Sequence, residues 1–147
     1  MPTTVSRVPR NTKDSVNRQI LADTEEQVRW YAEHPQTIGT RLKELDAEWD
    51  IERTLEANAS LLAFAGIALG AAVDKLFYVL PAIVTAFLFQ HAIQGWCPPL
   101  PVLRRLGFRT AREIDVERHA LKVLRGDFKR VRGNKYSVRR VLQTAKA

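Results

Sequence analysis

An apolar block of about 39 residues, spanning positions 58–96, runs through the middle of a chain that is otherwise rich in charge. The only charged residues in the block are the neighbours Asp74 and Lys75. Its second part, Leu76–Trp96, has about the 20 residues that a helix needs to cross the ~30 Å hydrocarbon core of a bilayer. Its first part, Asn58–Val73, is shorter and richer in small residues, so we expect the two parts to insert together.

A helical hairpin buried inside a soluble domain is the alternative to a membrane hairpin. A helix on the surface of a soluble domain carries a single apolar stripe, whereas both parts of this block are apolar all round. The remaining chain offers only two charged flanks to cover them. The sequence therefore predicts an all-α protein built on a membrane helical hairpin, with two transmembrane helices that meet at a turn at Asp74 and Lys75.

Three segments follow from this pattern: a helical arm (1–57), the transmembrane hairpin with a Cys-Pro end and an interfacial segment (58–107), and a capped helix with a basic tail (108–147). The first segment carries a net charge of about −3, while residues 104–147 carry about +10. Because basic residues near membrane ends favour the cytoplasmic side, both termini are expected in the cytoplasm. A single cysteine, which excludes an internal disulfide, fits a reducing compartment.

Small residues predict how the two apolar helices pack. Gly66 and Gly70 form a GxxxG spacing, which lets helix backbones approach closely in lipid. Ala82 and Ala86 offer a matching groove on the second helix, with Gly66 expected at the level of Ile83. The spacing serves packing within the hairpin or oligomerisation, and chance in an Ala-rich helix is the third alternative.

Polar residues at membrane depth need hydrogen-bonding partners, because lipid supplies none. Residues at equal depth on the two predicted helices suggest one such cluster near a membrane face. Its role is either structural or, in an oligomer, a path for a small solute or ion. The predicted members are Asn58, Gln90, His91 and Gln94.

The N-terminal arm is predicted to form two helices, one over residues 13–33 and one that starts near Thr37. No helix breaker lies between Arg41 and Val73, so the second helix is expected to continue into the first crossing. It carries an apolar seam at helical spacing, suited either to a partner helix or to packing within the arm. The seam consists of Ile38, Leu42, Leu45 and Trp49.

After the second crossing, residues 101–107 form a short amphipathic piece at the interface. Thr110 and Glu113 have the spacing of a capping box, which predicts a helix from there to about Arg125. The tail from Asp127 onward is strongly basic, and anionic lipid or an acidic partner is favoured over nucleic acid because no recognised nucleic-acid module is present. The residues expected to bind lipid headgroups are Arg104, Arg105, Arg109 and Arg112.

The sequence contains no phosphate-binding loop, no dinucleotide fingerprint and no set of cysteines and histidines at metal-ligand spacing. We therefore expect no catalytic residues, no cofactor and no metal. Cys97 is the one candidate thiol. Nearby cations such as Arg104 and Arg105 would activate it as a sulfur nucleophile, and packing at a helix end is the alternative role.

The stretch from the first crossing through Gly107, about 50 residues, resembles the YgaP-like inner-membrane domain family. The resemblance rests on the apolar hairpin, the run Gln94-Gly95-Trp96-Cys97-Pro98 and the segment from Leu103 to Gly107. It implies a small two-helix domain of the bacterial inner membrane, with a function that is largely unassigned. Members of the family can be joined to a rhodanese domain, which implies sulfur transfer nearby. Here a helical arm and a basic extension flank the hairpin instead.

Together these patterns predict an integral inner-membrane protein without enzymatic activity. We expect it to be a small subunit or scaffold that forms a homo-oligomer or docks on a larger membrane assembly. The alternatives are a thiol or sulfur relay that uses Cys97, and a solute or ion path through an oligomer.

Overall fold

The computed structural model describes residues 3 and 5–128 of the chain. Every regular element in that part is helical, which confirms the all-α prediction for it. The α-helices are α1 (Arg7–Arg10), α2 (Asp14–Glu33), α3 (Ile38–Ala47), α4 (Ile51–Ala72), α5 (Val79–Gln94), α6 (Leu100–Arg105) and α7 (Ala111–Arg125), with short 3₁₀ turns at Pro35–Thr37 and Lys75–Tyr78.

Helices α4 and α5 are the two apolar elements, and they lie against each other. α4 ends at Ala72, and the chain turns back through Val73 and Asp74. The Asp74 carboxylate accepts a hydrogen bond from the backbone N–H of Leu76 at 2.7 Å, so it caps the 3₁₀ turn that leads into α5. Both α4 and the turn-plus-α5 segment (Lys75–Gln94) are long and apolar enough to cross a membrane.

Gly66 packs closely against α5, and Gly70 packs against the 3₁₀ turn that leads into α5. A Cβ atom at Gly66 would lie 2.5 Å from Cδ of Pro81, and one at Gly70 would lie 2.7 Å from the Tyr78 ring. Gly66 was predicted to lie level with Ile83, but its neighbours on α5 are Leu80 and Pro81, two to three residues earlier. The reason is that the chain reverses at Val73 and Asp74 rather than one residue later.

The predicted groove on α5 is also wrong. Ala82 and Ala86 are exposed, so within the chain neither packs against the glycines of α4. Leu80 and Pro81 take that position instead. The physical reason is the helical phase: residues 80 and 81 lie on the α4 side of α5, and residue 82 is turned by about 100° from residue 81.

The helix predicted to run unbroken from the arm into the first crossing is interrupted. α3 ends at Ala47, Glu48 adopts an extended conformation, and Asp50 begins α4 by accepting a hydrogen bond from the N–H of Arg53 at 2.7 Å. The N–H of Ile51 donates to the carbonyl of Arg109 at 2.8 Å. An N-cap and a long-range backbone contact thus end one helix and start another, although no proline or glycine is present.

The described residues divide into two compact units, one within residues 5–22 and 49–114 and the other within residues 23–48 and 115–128. This division differs from the three consecutive segments expected from the sequence, because residues at the start of the chain pack with α4, α5 and α6. The basic tail predicted beyond Asp127 lies outside the described residues from position 129 onward.

In the second unit, the seam of α3 is buried. Ile38, Leu42 and Leu45 are almost inaccessible, while Trp49, which belongs to the first unit, is half exposed. Helix α7 supplies the polar contacts to α3: the buried Glu117 accepts from Arg41 at 2.8 Å, and Arg118 donates to the carbonyl of Leu45. The seam is therefore buried within the second unit, where the polar contacts of α3 include those to α7, a helix outside the arm. A partner helix on the same residues stays a prediction.

We predict that Gly66→Ala destabilises the protein, by about 1–3 kcal/mol. The added methyl group would overlap the Pro81 ring, and neither helix can move away without losing the remaining contacts. The measurement is the thermal unfolding midpoint of detergent-purified protein. Gly39→Ala is the matched control, because open space surrounds Gly39 in α3 and alanine favours helix. Equal midpoints for the two variants would contradict this account of the helix pair.

Candidate functional site

Helix α5 ends at Gly95, whose φ of 76° is the left-handed conformation that glycine adopts without strain. The N-terminal segment of the chain covers this end. Arg7 donates to the carbonyl of Ala92 at 3.0 Å, and Asn11 donates to the carbonyl of Gln94 at 2.9 Å. Carbonyls in the last turn of a helix have no partner within it, so these two side chains complete the end of α5.

A chain of three polar side chains lies beside this helix end. The His91 ring Nε2 is 2.8 Å from one carboxylate oxygen of Glu52, and Arg7 donates to the other oxygen at 2.9 Å. His91 is only 3% exposed, and Glu52 is partly buried. Because an ionised carboxylate only accepts hydrogen bonds, Nε2 is the protonated ring nitrogen. Glu52 therefore fixes the tautomer of His91, and Arg7 balances the charge of Glu52.

An apolar cluster surrounds these polar groups. Its buried members come from α1, α4, α6 and the loop that follows α5, and three further side chains pack against them. Because residues so far apart in sequence meet here, the cluster holds the N-terminal segment against the end of the helix pair. The buried members are Val8, Ile51, Leu55, Cys97 and Leu100, and the packed ones are Trp96, Leu103 and Phe108.

A partly open cavity of about 450 Å³ lies between α4, α5 and the proline loop. Its wall is mainly apolar, and its polar groups are those of Asn58, His91 and Cys97. One amide hydrogen of Asn58 goes to the Thr54 carbonyl of the same helix, at 2.8 Å. An apolar wall with a few polar groups is typical of small-molecule sites. The rest of the wall is Leu55, Ala59, Leu62, Val84, Phe87, Leu88, Pro98, Pro99 and Leu103.

The Cys97 thiol is buried and forms part of the cavity wall beside the His91 ring. The contacts of Arg104 do not include this thiol. The Arg104 guanidinium donates to Glu113 at 2.7 Å and to Asn17 at 3.0 Å, so activation of Cys97 by nearby cations stays a prediction. The side chain next to Cys97 is His91, which was predicted to belong to the polar cluster with Asn58 and the two glutamines.

The prediction of Arg104 as a lipid-headgroup ligand is wrong, because this residue is 1% exposed. Its remaining donors reach the Thr12 hydroxyl and the Phe108 carbonyl, so it joins the start of α2 to the loop before α7. A guanidinium carries five N–H donors, so a single arginine can hydrogen-bond to several segments at once. The other predicted headgroup ligands differ in exposure: Arg105 and Arg112 are exposed, and Arg109 is half-buried.

Glu113 performs two roles at this point. Its carboxylate accepts from the backbone N–H of Thr110 at 2.7 Å, and the Thr110 hydroxyl accepts from the N–H of Glu113, which is the predicted capping box. It also holds the Arg104 guanidinium through both oxygens. Burial raises the pKa of Glu113, but the hydrogen bonds from Arg104 and Thr110 outweigh this and lower the pKa below the usual 4.5.

The predicted polar cluster does not form as a set. His91 bonds to Glu52, Asn58 bonds within its own helix, and Gln94 contributes only its backbone carbonyl to the contact with Asn11. Gln90 is half-buried, and it does not line the cavity. Asn58 and His91 do share the cavity wall, so the structure brings together two of the four.

Glu52 and Arg7 are the functional residues that the sequence analysis missed. Glu52 precedes Leu55 by three positions and Ala59 by seven, so helical periodicity alone places it on the cavity face of α4. That signal was available. Arg7 had no comparable signal, because a contact across 45 positions depends on how the N-terminal segment folds back.

Outside these contacts, the surface of α4 and α5 is apolar. Phe64 is 71% exposed, Phe89 is 69% exposed and Leu76 at the turn is 75% exposed. Few residues in either apolar helix are buried inside the described structure. The core helix of a soluble protein would be covered by its neighbours, so this surface needs a cover other than the described chain.

No protein-family model matches this chain, and comparisons with curated proteins and with solved structures find no significant match. The resemblance to the YgaP-like domain family therefore stays a prediction from the sequence.

We predict that acid weakens the folded state through Glu113. Because its pKa is lower in the folded protein than the usual 4.5, its contribution to stability is complete above that value and is lost as the pH falls through the folded pKa. Glu113→Gln keeps an acceptor for the capping box but leaves Arg104 without a charged partner. We expect it to cost about 3 kcal/mol at pH 7 and less below pH 4.

The measurement is the thermal unfolding midpoint of the two proteins between pH 7 and pH 3. Exposed Glu25 on α2 provides the matched change, Glu25→Gln, which should leave the midpoint and its pH dependence unaltered. A constant difference between wild type and Glu113→Gln across this range would show that the ionised carboxylate is not the stabilising species.

Proposed function

We propose that the protein is an integral membrane protein in which α4 and α5 cross the bilayer as a hairpin. The observation that carries the proposal is the uncovered apolar surface of the two helices. In water, that surface would be a strong liability for aggregation. In a bilayer, the same side chains contact lipid, and the internal hydrogen bonds of the helices satisfy the backbone.

Aromatic residues at the ends of the helix pair support this placement. Tyr78, at the turn, is 45% exposed. At the other end, Trp96 packs against the apolar cluster, and Trp49 stacks on the Arg53 guanidinium at 4.3 Å. Amphipathic aromatic rings are enriched at the two membrane–water interfaces. The distance between the two ends also suits a crossing, since the 22 residues of α4 span ~33 Å.

For orientation, we propose that both termini face the cytoplasm of a bacterial inner membrane. The exposed arginines closest to the helix ends, Arg105 and Arg112, are on the terminal side. The turn side carries one acidic and one basic residue, Asp74 and Lys75. Basic residues near the ends of crossings favour the cytoplasmic side, so the turn would lie outside.

The proposed role is that of a small non-enzymatic subunit or scaffold. Its terminal helices would bind anionic headgroups through exposed arginines and the basic tail, and α5 would contact a second copy or a larger assembly. Ala82 and Ala86 support a helix contact of this kind, because both are exposed and lie one helical turn apart. The two glycines of α4 do not serve it, because α5 already covers Gly66 and the Tyr78 ring already covers Gly70.

The membrane proposal predicts that charge is rejected at mid-helix but tolerated at the turn. Phe64→Lys places an ammonium near the middle of α4, which costs about 2.5–3.5 kcal/mol of insertion free energy. Leu76→Lys is the matched control, because Leu76 is equally exposed but lies beside Lys75 at the proposed interface. The measurement is the fraction of protein that stays in the membrane pellet after alkaline carbonate extraction.

Wild type and Leu76→Lys should stay in the pellet, and Phe64→Lys should be lost from it. Wild-type protein in the supernatant without detergent would overturn the proposal. Equal retention of the two lysine variants would also count against it, because a peripheral protein held through its arginines has no reason to distinguish them.

The scaffold role predicts that small residues on α5 set the size of the assembly. The double change Ala82→Leu and Ala86→Leu should reduce the oligomer mass measured by light scattering in mild detergent, because the larger side chains keep the second helix away. The matched control is Ala68→Leu with Ala72→Leu, an exposed pair at the same spacing on α4. A wild-type protein that is monomeric, or a mass that both double variants leave unchanged, would argue against this contact.

A further inference from the structure

The cavity between α4, α5 and the proline loop contains a polar atom that the fold leaves without a partner. His91 forms part of its wall, and the ring Nδ1 is buried without a hydrogen bond among the described residues. The Cys97 thiol lies next to the His91 ring, but a thiol is only a weak hydrogen-bond donor. Buried polar atoms are rarely left unpaired, and each one in a native structure calls for an explanation.

The other side of the ring shows what this atom can bind. Nε2 is committed to Glu52, which leaves Nδ1 as the acceptor in the neutral ring and as a donor when the ring is protonated. Arg7 and Glu52 form an ion pair on the far side of the ring. A hydroxyl can donate to the neutral ring or accept from the protonated ring, whereas a carbonyl oxygen accepts from the protonated ring.

The rest of the wall restricts the ligand further. Leucine, valine, phenylalanine and proline side chains make up most of it, and about 450 Å³ is within the usual volume of small-molecule pockets. An apolar body can fill most of that space in contact with these side chains. The cavity is also partly open, so that a long chain could extend out of it.

We propose that this cavity binds an amphiphile whose apolar body ends in a hydroxyl or carbonyl oxygen, with that oxygen on Nδ1 of His91. Two sources share this chemistry: the ring-headed quinones with their quinols, and the straight-chain fatty alcohols. Glu52 and Arg7 act as positioning residues, since they hold the ring and its tautomer. This binding role goes beyond the scaffold function and does not depend on the orientation of the helices.

The test uses the full chain purified in detergent, and its readout is the thermal unfolding midpoint with each probe. The probes are a decyl-substituted benzoquinone, its quinol, and 1-hexadecanol. A ligand that binds only the folded protein raises the midpoint with saturation, by about 5–10 °C at one hundred times its dissociation constant. Saturation by the quinone or quinol assigns the ring-headed class, and saturation by the alcohol alone assigns the straight-chain class.

Two variants test the site itself. His91→Gln keeps an amide near the position of Nε2 for Glu52 and removes Nδ1, so binding should weaken about tenfold, which is the loss expected for one hydrogen bond. Ala59→Phe fills the cavity from α4 and should abolish the shift. The matched control is Ala68→Phe, on the same helix but outside the cavity wall, and it should keep the wild-type response.

The proposal is overturned if no probe shifts the wild-type midpoint, or if the shift rises linearly without saturation, as detergent partitioning would produce. It is also overturned if Ala59→Phe responds like Ala68→Phe. Should His91→Gln fail to fold, Ala59→Phe still decides the outcome, because it leaves the polar chain intact. Failure of this test leaves the carbonate-extraction result unaffected, so the two proposals can fail separately.

Discussion

Glu52 and His91 meet where the two apolar helices end, and burial makes each of them depend on the other. An unpaired carboxylate or imidazolium at this position would carry a large desolvation cost. Their 2.8 Å contact removes much of it, and Arg7 supplies the balancing charge. The position of the N-terminal segment follows, because Arg7 reaches Glu52 only when α1 lies against the end of α5. Val8 then completes the apolar cluster.

Arg104 likewise holds flanking segments together within the same unit. Its buried guanidinium gathers the start of α2, the loop after α6 and the cap of α7. An arginine in that position specifies one arrangement, because its planar donors must all find acceptors. The two charge networks thus fix the flanking helices around the apolar pair. The described residues leave the outer surface of that pair uncovered.

Several features followed from local sequence alone. The capping box at Thr110 and Glu113, the end of α7 at Gly126 and the stop of α2 before His34 depend on a few adjacent residues, and all were predicted. Helical periodicity places Glu117, Leu121 and Leu124 on one face of α7. Leu124 is 42% exposed, whereas Glu117 is as fully buried as Leu121. Helical periodicity predicts which apolar side chains are buried. It does not predict that the ion pair with Arg41 allows the Glu117 carboxylate to be buried as well.

The sequence by itself determined that the chain is helical and that a block of about 39 residues is too apolar to be an ordinary surface, because composition and helical periodicity are local properties. Only the tertiary structure decided what the polar residues of that block bind. His91 was predicted beside Asn58 and Gln94, yet its partner is Glu52, and Arg104 was predicted at lipid headgroups, yet it is buried. The His91–Glu52 pair joins residues 39 positions apart, and Arg104 reaches Asn17 across 87 positions as well as Glu113 across nine. A charged side chain goes wherever the folded backbone brings its counter-charge within hydrogen-bonding distance.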